Sequence, residues 1–245
     1  MSRDDLAYTI EGREFRLPCE VRHASAGSAT YLVPSAAARR LLPGPDIDIA
    51  EVLPGRGLCS LAIIDYKDND LGDYNEVSVA FFVRPRGSSA GIPYLGSWID
   101  MVRGRLGVTI RHLPVNQSFT CEAGCRIWGY PKTVQEIDFD YPPERAECRL
   151  VQDGEHALTL SVPRGGSRTM PPQELVNYSY IEGVPHVNRA TQGAEGFGFH
   201  LGGAELTLGS GPIADELRGL GLPRGALMTT WMERMYGSFG ASEKL

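Results

Sequence analysis

The sequence predicts an α+β protein whose main body is an antiparallel sheet or barrel with a few helices on its flank. Three observations carry that prediction. Short segments rich in β-branched and aromatic residues recur along most of the chain, bounded by Gly, Pro or Asp clusters. They follow one another across turn chemistry rather than across helices, which favours antiparallel pairing over a parallel βαβ stack. Helix signals are confined to three stretches.

In chain order, a first helix is expected over residues 36–42, with Ser35 placed to cap it, Pro34 before it and Pro43-Gly44 stopping it. Strands follow over 58–66 and 76–83, ahead of a turn at Gly87-Ser88-Ser89. Residues 91–105 are expected to be partly helical, because Tyr94, Trp98 and Met101 recur at spacings of four and three. Further strands are expected over 108–113, 117–121, 134–139, 147–152 and 157–162, with Gln152-Asp153-Gly154 turning between the last two. The Pro- and Gly-rich stretch 163–172 looks like a long loop. Strands 197–201 and 205–208 flank Gly202-Gly203. A last helix over 212–220 opens with Pro212, carries Asp215 and Glu216 early and ends at Gly221. No repeat, low-complexity tract or linker interrupts the chain, so one domain over 1–245 is expected.

Composition narrows the function. A chain of 245 residues, 42% hydrophobic and 22% charged, can bury a sizeable core without disulfides and is neither disordered nor fibrous. Its longest apolar runs, such as 79–83, fall far short of the roughly 20 residues that span a bilayer, so no membrane partner is expected. The opening Met1-Ser2-Arg3-Asp4-Asp5 lacks the features of a secretory signal, and the odd, scattered set of five cysteines reads as reduced thiols in the cytoplasm. Asn-x-Ser sequences at Asn116 and Asn177 are then chance matches. A net charge of -6 argues against a nucleic-acid partner.

The basic residues carry the sharpest signal. Lysine occurs only at Lys67, Lys132 and Lys244, and the remaining basic residues are arginine. Lysine can lose its proton when buried and form an imine, whereas arginine stays charged. Lys67 lies in a polar turn and Lys244 beside the terminus. Lys132 alone sits among apolar residues, in Ile127-Trp128-Gly129-Tyr130-Pro131-Lys132-Thr133-Val134. On spacing alone two readings stay open. Lys132 is either a surface lysine packed along Trp128 or an amine that Trp128, Tyr130 and Val134 hold away from water, with its pKa pulled down by burial. Other sites recede. No Walker A loop, H-E-x-x-H or C-x-x-C motif occurs, and Cys121 and Cys125 lack a second pair for a metal.

Trp128-Gly129-Tyr130-Pro131-Lys132 resembles the imine-forming segment of the acetoacetate decarboxylases, whose lysine follows a Tyr/Phe-Pro pair. The resemblance runs from about Tyr8 to Phe239. Gly12-Arg13-Glu14-Phe15 is similar to the family's early segment, whose arginine belongs to the active-site region. Ala37-Ala38-Arg39-Arg40-Leu41-Leu42-Pro43 is similar to its first helix, and Leu71-Gly72-Asp73-Tyr74-Asn75-Glu76 to the stretch whose buried glutamate pairs with that arginine. Residues from Pro212 to Tyr236 resemble the closing helix and strand. The pattern departs at two places: Thr133 stands where the family has a second lysine, and apolar residues around Ser60-Leu61-Ala62 replace a further glutamate.

The resemblance implies a closed, cone-like antiparallel β-barrel flanked by helices, with Lys132, Glu76 and Arg13 as catalytic residues and Trp128, Tyr130 and Tyr236 at the substrate. It implies a small keto acid as the substrate and homo-oligomeric assembly. The expected activity is decarboxylation of a β-keto acid through a Lys132 imine, with no metal or organic cofactor because the imine is the electron sink. Relatives that use such an imine with pyruvate-like α-keto acids offer a second reading, an aldolase-dehydratase or cyclase of secondary metabolism. A third is a non-catalytic barrel that only binds its ligand.

Overall fold

The computed structural model describes residues 6–88 and 91–245. The opening pentapeptide and part of the turn expected at 87–89 lie outside them. The chain begins with a small hairpin, β1 (Ala7–Ile10) and β2 (Arg13–Arg16), joined at Glu11 and Gly12, both with positive φ as a twist-matched two-residue turn requires. Then come β3 (Cys19–Pro34), α1 (Ser35–Arg39), β4 (Ile47–Ile49), β5 (Arg56–Asn69), β6 (Tyr74–Pro85), α2 (Leu95–Val102), β7 (Gly107–Val115) and α3 (Ser118–Trp128). The second half holds β8 (Lys132–Val134), β9 (Glu136–Asp140), β10 (Arg145–Gln152), β11 (Glu155–Pro163), β12 (Arg168–Ile181), β13 (Val184–Leu201), β14 (Glu205–Leu208), α4 (Pro212–Gly219) and β15 (Met228–Lys244).

Seven strands close a barrel in the order β6-β5-β3-β15-β13-β12-β7, and β7 returns to β6. Neighbours are antiparallel except β7 and β12, which run parallel and pair only through Val108 and Asn177. The far end of β7 is paired instead with β8, also parallel, so that Leu113 lies beside Lys132. A separate antiparallel sheet, β14-β11-β10-β9, covers one side of the barrel.

The alternation of the strands decides which face is the core. On β5 and β6, Leu61, Ile63, Val79 and Phe81 point outward and pack with Leu150, Leu158 and Leu160 of the covering sheet. The intervening Ser60, Ala62, Ser78 and Ala80 face the barrel interior. The main core therefore lies between the two sheets, and β5 and β6 present small side chains to the inside of the barrel. A second core joins α3 to the barrel end through Phe119, Ile127 and Trp128, packed with Phe15, Leu17 and Tyr66.

The structure agrees with the expected barrel and with strands 205–208 and helix 212–220 to within a residue. It corrects several boundaries. Residues 117–121 open α3 rather than form a strand, because the Gln117 side chain accepts the Thr120 N–H and Phe119, Ala123 and Ile127 recur on the buried side of a helix. The segment 134–139 is split between β8 and β9. The loop expected over 163–172 already contains the start of β12. Ser35 lies inside α1 and makes no cap hydrogen bond. The five cysteines are free. Among the described residues no helix is long and apolar enough to cross a membrane.

Candidate active site

Lys132 reaches its place through a reversal at the end of α3. Gly129 caps the helix in the left-handed region with φ 65°, and a side chain there would meet the Tyr180 backbone at 2.7 Å. The Tyr130 N–H returns to the Gly124 carbonyl, Pro131 follows, and Lys132 starts β8. Its side chain then runs back along α3, pressed against Gly124: a Cβ there would sit 2.5 Å from Lys132 Cδ and 2.7 Å from Cε. Lys132 is 8% exposed and Glu76 6%.

The ammonium meets three groups. Nζ lies 2.9 Å from Glu76 Oε2, donates to Thr120 Oγ1 at 3.1 Å, and stands 5.0 Å from the centre of the Tyr74 ring. Burial alone disfavours the cation, but the Glu76 carboxylate, with Tyr74, outweighs it and holds the Lys132 pKa above its ordinary 10.5. Burial also pushes the Tyr74 phenol up to about 12. At 2.9 Å Lys132 and Glu76 form a buried ion pair, a partner that the apolar setting alone does not imply.

The pair lies on the wall of a small chamber of about 70 Å³. Tyr66, Glu76, Ile110, Leu113 and Asn177 line this chamber and also a larger cavity of about 430 Å³ that fills the barrel. Two polar atoms at the chamber, Tyr130 Oη and Asn177 Oδ1, are buried without a hydrogen-bond partner. Both can hydrogen-bond a polar group placed in the chamber.

The acetoacetate decarboxylase (ADC) family model matches residues 11–240. The chain belongs to the acetoacetate decarboxylase family. No curated protein sequence matches it. Among solved structures, acetoacetate decarboxylase from Legionella pneumophila aligns with a TM-score of 0.67 at 14% identity, over 93% of this chain and 87% of that one. The enduracididine biosynthesis enzyme MppR, solved with pyruvate, aligns with a TM-score of 0.61 at 17% identity, over 93% and 90%. MppR with the condensation product of pyruvate and imidazole 4-carboxaldehyde gives 0.62 at 17% identity, over 98% and 96%. At these identities the likeness is one of fold.

Within this member of the acetoacetate decarboxylase family, the expected site residues separate into two groups. Lys132, Glu76, Trp128 and Tyr130 are brought together at the chamber. The Trp128 indole donates to the Gly240 carbonyl at 2.8 Å, and the Trp128 carbonyl accepts from Ser179 and Asn188, so this residue ties α3 to β12, β13 and β15. Tyr130 lies against it with ring centres 6.1 Å apart. Tyr236 lines the barrel cavity, packed across Gly193, and is not part of the chamber wall.

Arg13 is the correction. It is exposed on β2, and its guanidinium lies 4.2 Å from the centre of the Phe119 ring. The expected Arg13–Glu76 pair is replaced by Lys132–Glu76, because the reversal at Gly129 delivers the lysine to the carboxylate while β2 stays outside the barrel. Tyr74, Thr120 and Asn177 complete the site. Thr120 was hidden in a segment that reads as strand, and Asn177 carries no sequence signal beyond its chance sequon.

Proposed function

We propose that the protein is a Schiff-base-forming lyase in which Lys132 adds to the ketone of a keto acid, with decarboxylation of a β-keto acid as the reaction. The observation that carries this reading is the buried Lys132–Glu76 contact of 2.9 Å on the wall of a small chamber. Proton passage from Nζ to Oε2 removes both charges at once and leaves a neutral amine beside a carboxylic acid. Burial, which penalises the two charges together, lowers the cost of that step. The amine attacks the carbonyl carbon, and Glu76 returns its proton to the departing hydroxyl as water leaves. In the protonated imine the C–CO₂ bond breaks and its electrons flow into the C=N group. The enamine takes a proton at carbon, and water then releases the ketone. Tyr130 and Asn177 supply polar contacts for the substrate carboxylate or the hydrolytic water. Lys132 and Glu76 together carry no net charge, so the pair attracts a carboxylate weakly, which speaks against a barrel that only binds.

Thr133 in place of a second lysine favours the α-keto acid reading, as does a fold shared with MppR, whose structures hold pyruvate and a pyruvate condensation product. There the enamine of the α-keto acid would attack an aldehyde instead of releasing CO₂. The test is borohydride reduction with acetoacetate and with pyruvate in parallel, read by mass spectrometry. An adduct on Lys132 that disappears in Lys132→Arg and slows in Glu76→Gln is expected, and CO₂ release separates the two reactions. No adduct with either keto acid sinks the imine mechanism.

A further inference from the structure

The barrel is hollow where barrels of this size are usually filled. With about eight strands the interior is just wide enough for side chains to occupy it. Here three adjacent strands present small residues inward in matched rows. Ser28 pairs with Ala62 and Ala62 with Ser78; in the next row Thr30 pairs with Ser60 and Ser60 with Ala80. The cavity is lined elsewhere by apolar side chains, among them Val108, Ile110, Met228 and Met232. The space left between the walls is about 430 Å³, in an interior that close packing would otherwise leave with few voids larger than a water molecule.

Size and charge identify the occupant. The chamber beside Lys132 is about 70 Å³. At the ~30 Å³ that a water-sized group takes up, that is room for about two such groups, the carbonyl and one short arm. Whatever else the substrate carries must extend past Glu76 and Ile110 into the barrel. By the same measure the barrel has room for about fourteen such groups, enough for a tail on the order of ten carbons with space for it to bend. Among the described residues that line the cavity, Glu76 is the only charged one, and no lysine or arginine is present. A second carboxylate, a phosphate or a nucleotide carrier has no counter-charge there.

We propose that the substrate is a keto acid with an unbranched, uncharged apolar tail of roughly eight to twelve carbons, lying along the barrel from the carbonyl that Lys132 engages. The proposal rests on the imine reading of Lys132 and adds the substrate class. Burying each methylene of the tail raises kcat/KM about fourfold until the cavity is full.

The experiment compares acetoacetate, 3-oxooctanoate and 3-oxododecanoate in rate of borohydride trapping and of CO₂ release. 3-Oxooctanoate, with four more methylenes, is expected to exceed acetoacetate by about 250-fold, and 3-oxododecanoate by more. In Ala62→Trp, which fills the middle row, that ratio should fall by about the same factor. Ser78→Phe blocks the same row if Ala62→Trp fails to fold. Equal rates for all three acids overturn the tail proposal and leave the imine mechanism standing. If no acid of any length is trapped, the imine mechanism falls, and calorimetry with 1-decanol reads the barrel by itself. Binding to wild type and to Lys132→Ala, but not to Ala62→Trp, supports a tail site; no binding to wild type overturns it.

Discussion

Replacing Gly124 with alanine tests whether the lysine is held by its helix as closely as the geometry implies. The added Cβ would lie 2.5 Å from Lys132 Cδ and 2.7 Å from Cε, whereas carbon atoms rest at about 3.5–4.0 Å. The lysine stem must therefore move by roughly 1 Å. Its Nζ is fixed by contacts of 2.9 Å to Glu76 and 3.1 Å to Thr120, so a displacement of that size breaks at least one of them. A misplacement of about 1 Å at a reacting centre costs on the order of 100-fold in rate. Helix energetics run the other way, because exchanging glycine for alanine inside α3 gains about 1 kcal/mol of propensity, which offsets much of the packing strain. Gly124→Ala should thus slow borohydride-trapped imine formation about 100-fold while its Tm stays close to wild type. Gly219→Ala is the matched control. It sits in α4 with nothing within 4 Å of its added Cβ, and should raise stability by up to about 1 kcal/mol without touching the imine rate. Wild-type trapping in Gly124→Ala would refute the reasoning, since it would mean that the lysine finds another path to Glu76.

Two further outcomes are expected. Arg13→Ala should lose no more than the ~0.5–1 kcal/mol of an exposed cation–π contact with Phe119 and keep imine formation within about twofold, measured by melting and trapping together; a collapse in trapping would return Arg13 to the substrate. Glu216 accepts from Arg111 at 2.9 and 2.6 Å and meets His112 at 2.9 Å, and the Arg111 bonds, with those of His112, hold its pKa down from 4.5 to about 2. A depressed carboxylate gives stability that is present above pH 4.5 and lost as the pH falls through about 2. The full shift would be worth about 3 kcal/mol, reduced to ~1–2 by solvent screening of the half-buried pair. Glu216→Gln should therefore lower urea stability at pH 7 and converge on wild type near pH 2, and a difference independent of pH would remove this assignment.

Local chemistry was legible in the sequence, and the partners were not. Strand 205–208 and helix 212–220 are written in adjacent glycines, a first-turn proline and early acidic residues, all signals that act within a few positions. Lys132 stands out because lysine is rare in this chain and its neighbours are apolar. Its pairing with Glu76 depends on how β8 docks beside β7, a choice made by the αL turn at Gly129 and by the gap that β12 leaves. The inward small residues of β5 and β6 lie in strands that the sequence predicts, but the space they leave depends on what stands across the barrel and has no local signal. Burial alone suggested a neutral amine; the structure adds the carboxylate that reverses the sign.

Strand direction around a closed ring obeys a parity rule. An even number of strands can alternate up and down all the way round, but seven cannot, so at least one neighbouring pair must point the same way. Here that pair is β7 and β12, and its ladder shrinks to Val108 and Asn177. The mismatch leaves the rest of that edge of β7 unclaimed, and β8 occupies it with Lys132 as its first residue. Asn177, the single β12 residue at the seam, is also one of the two residues with an unpartnered side-chain oxygen at the chamber. Lys132 thus stands where the count of strands forbids regular pairing. Adding or deleting one barrel strand would remove the vacancy that admits it, so in this architecture the odd number is itself part of the site.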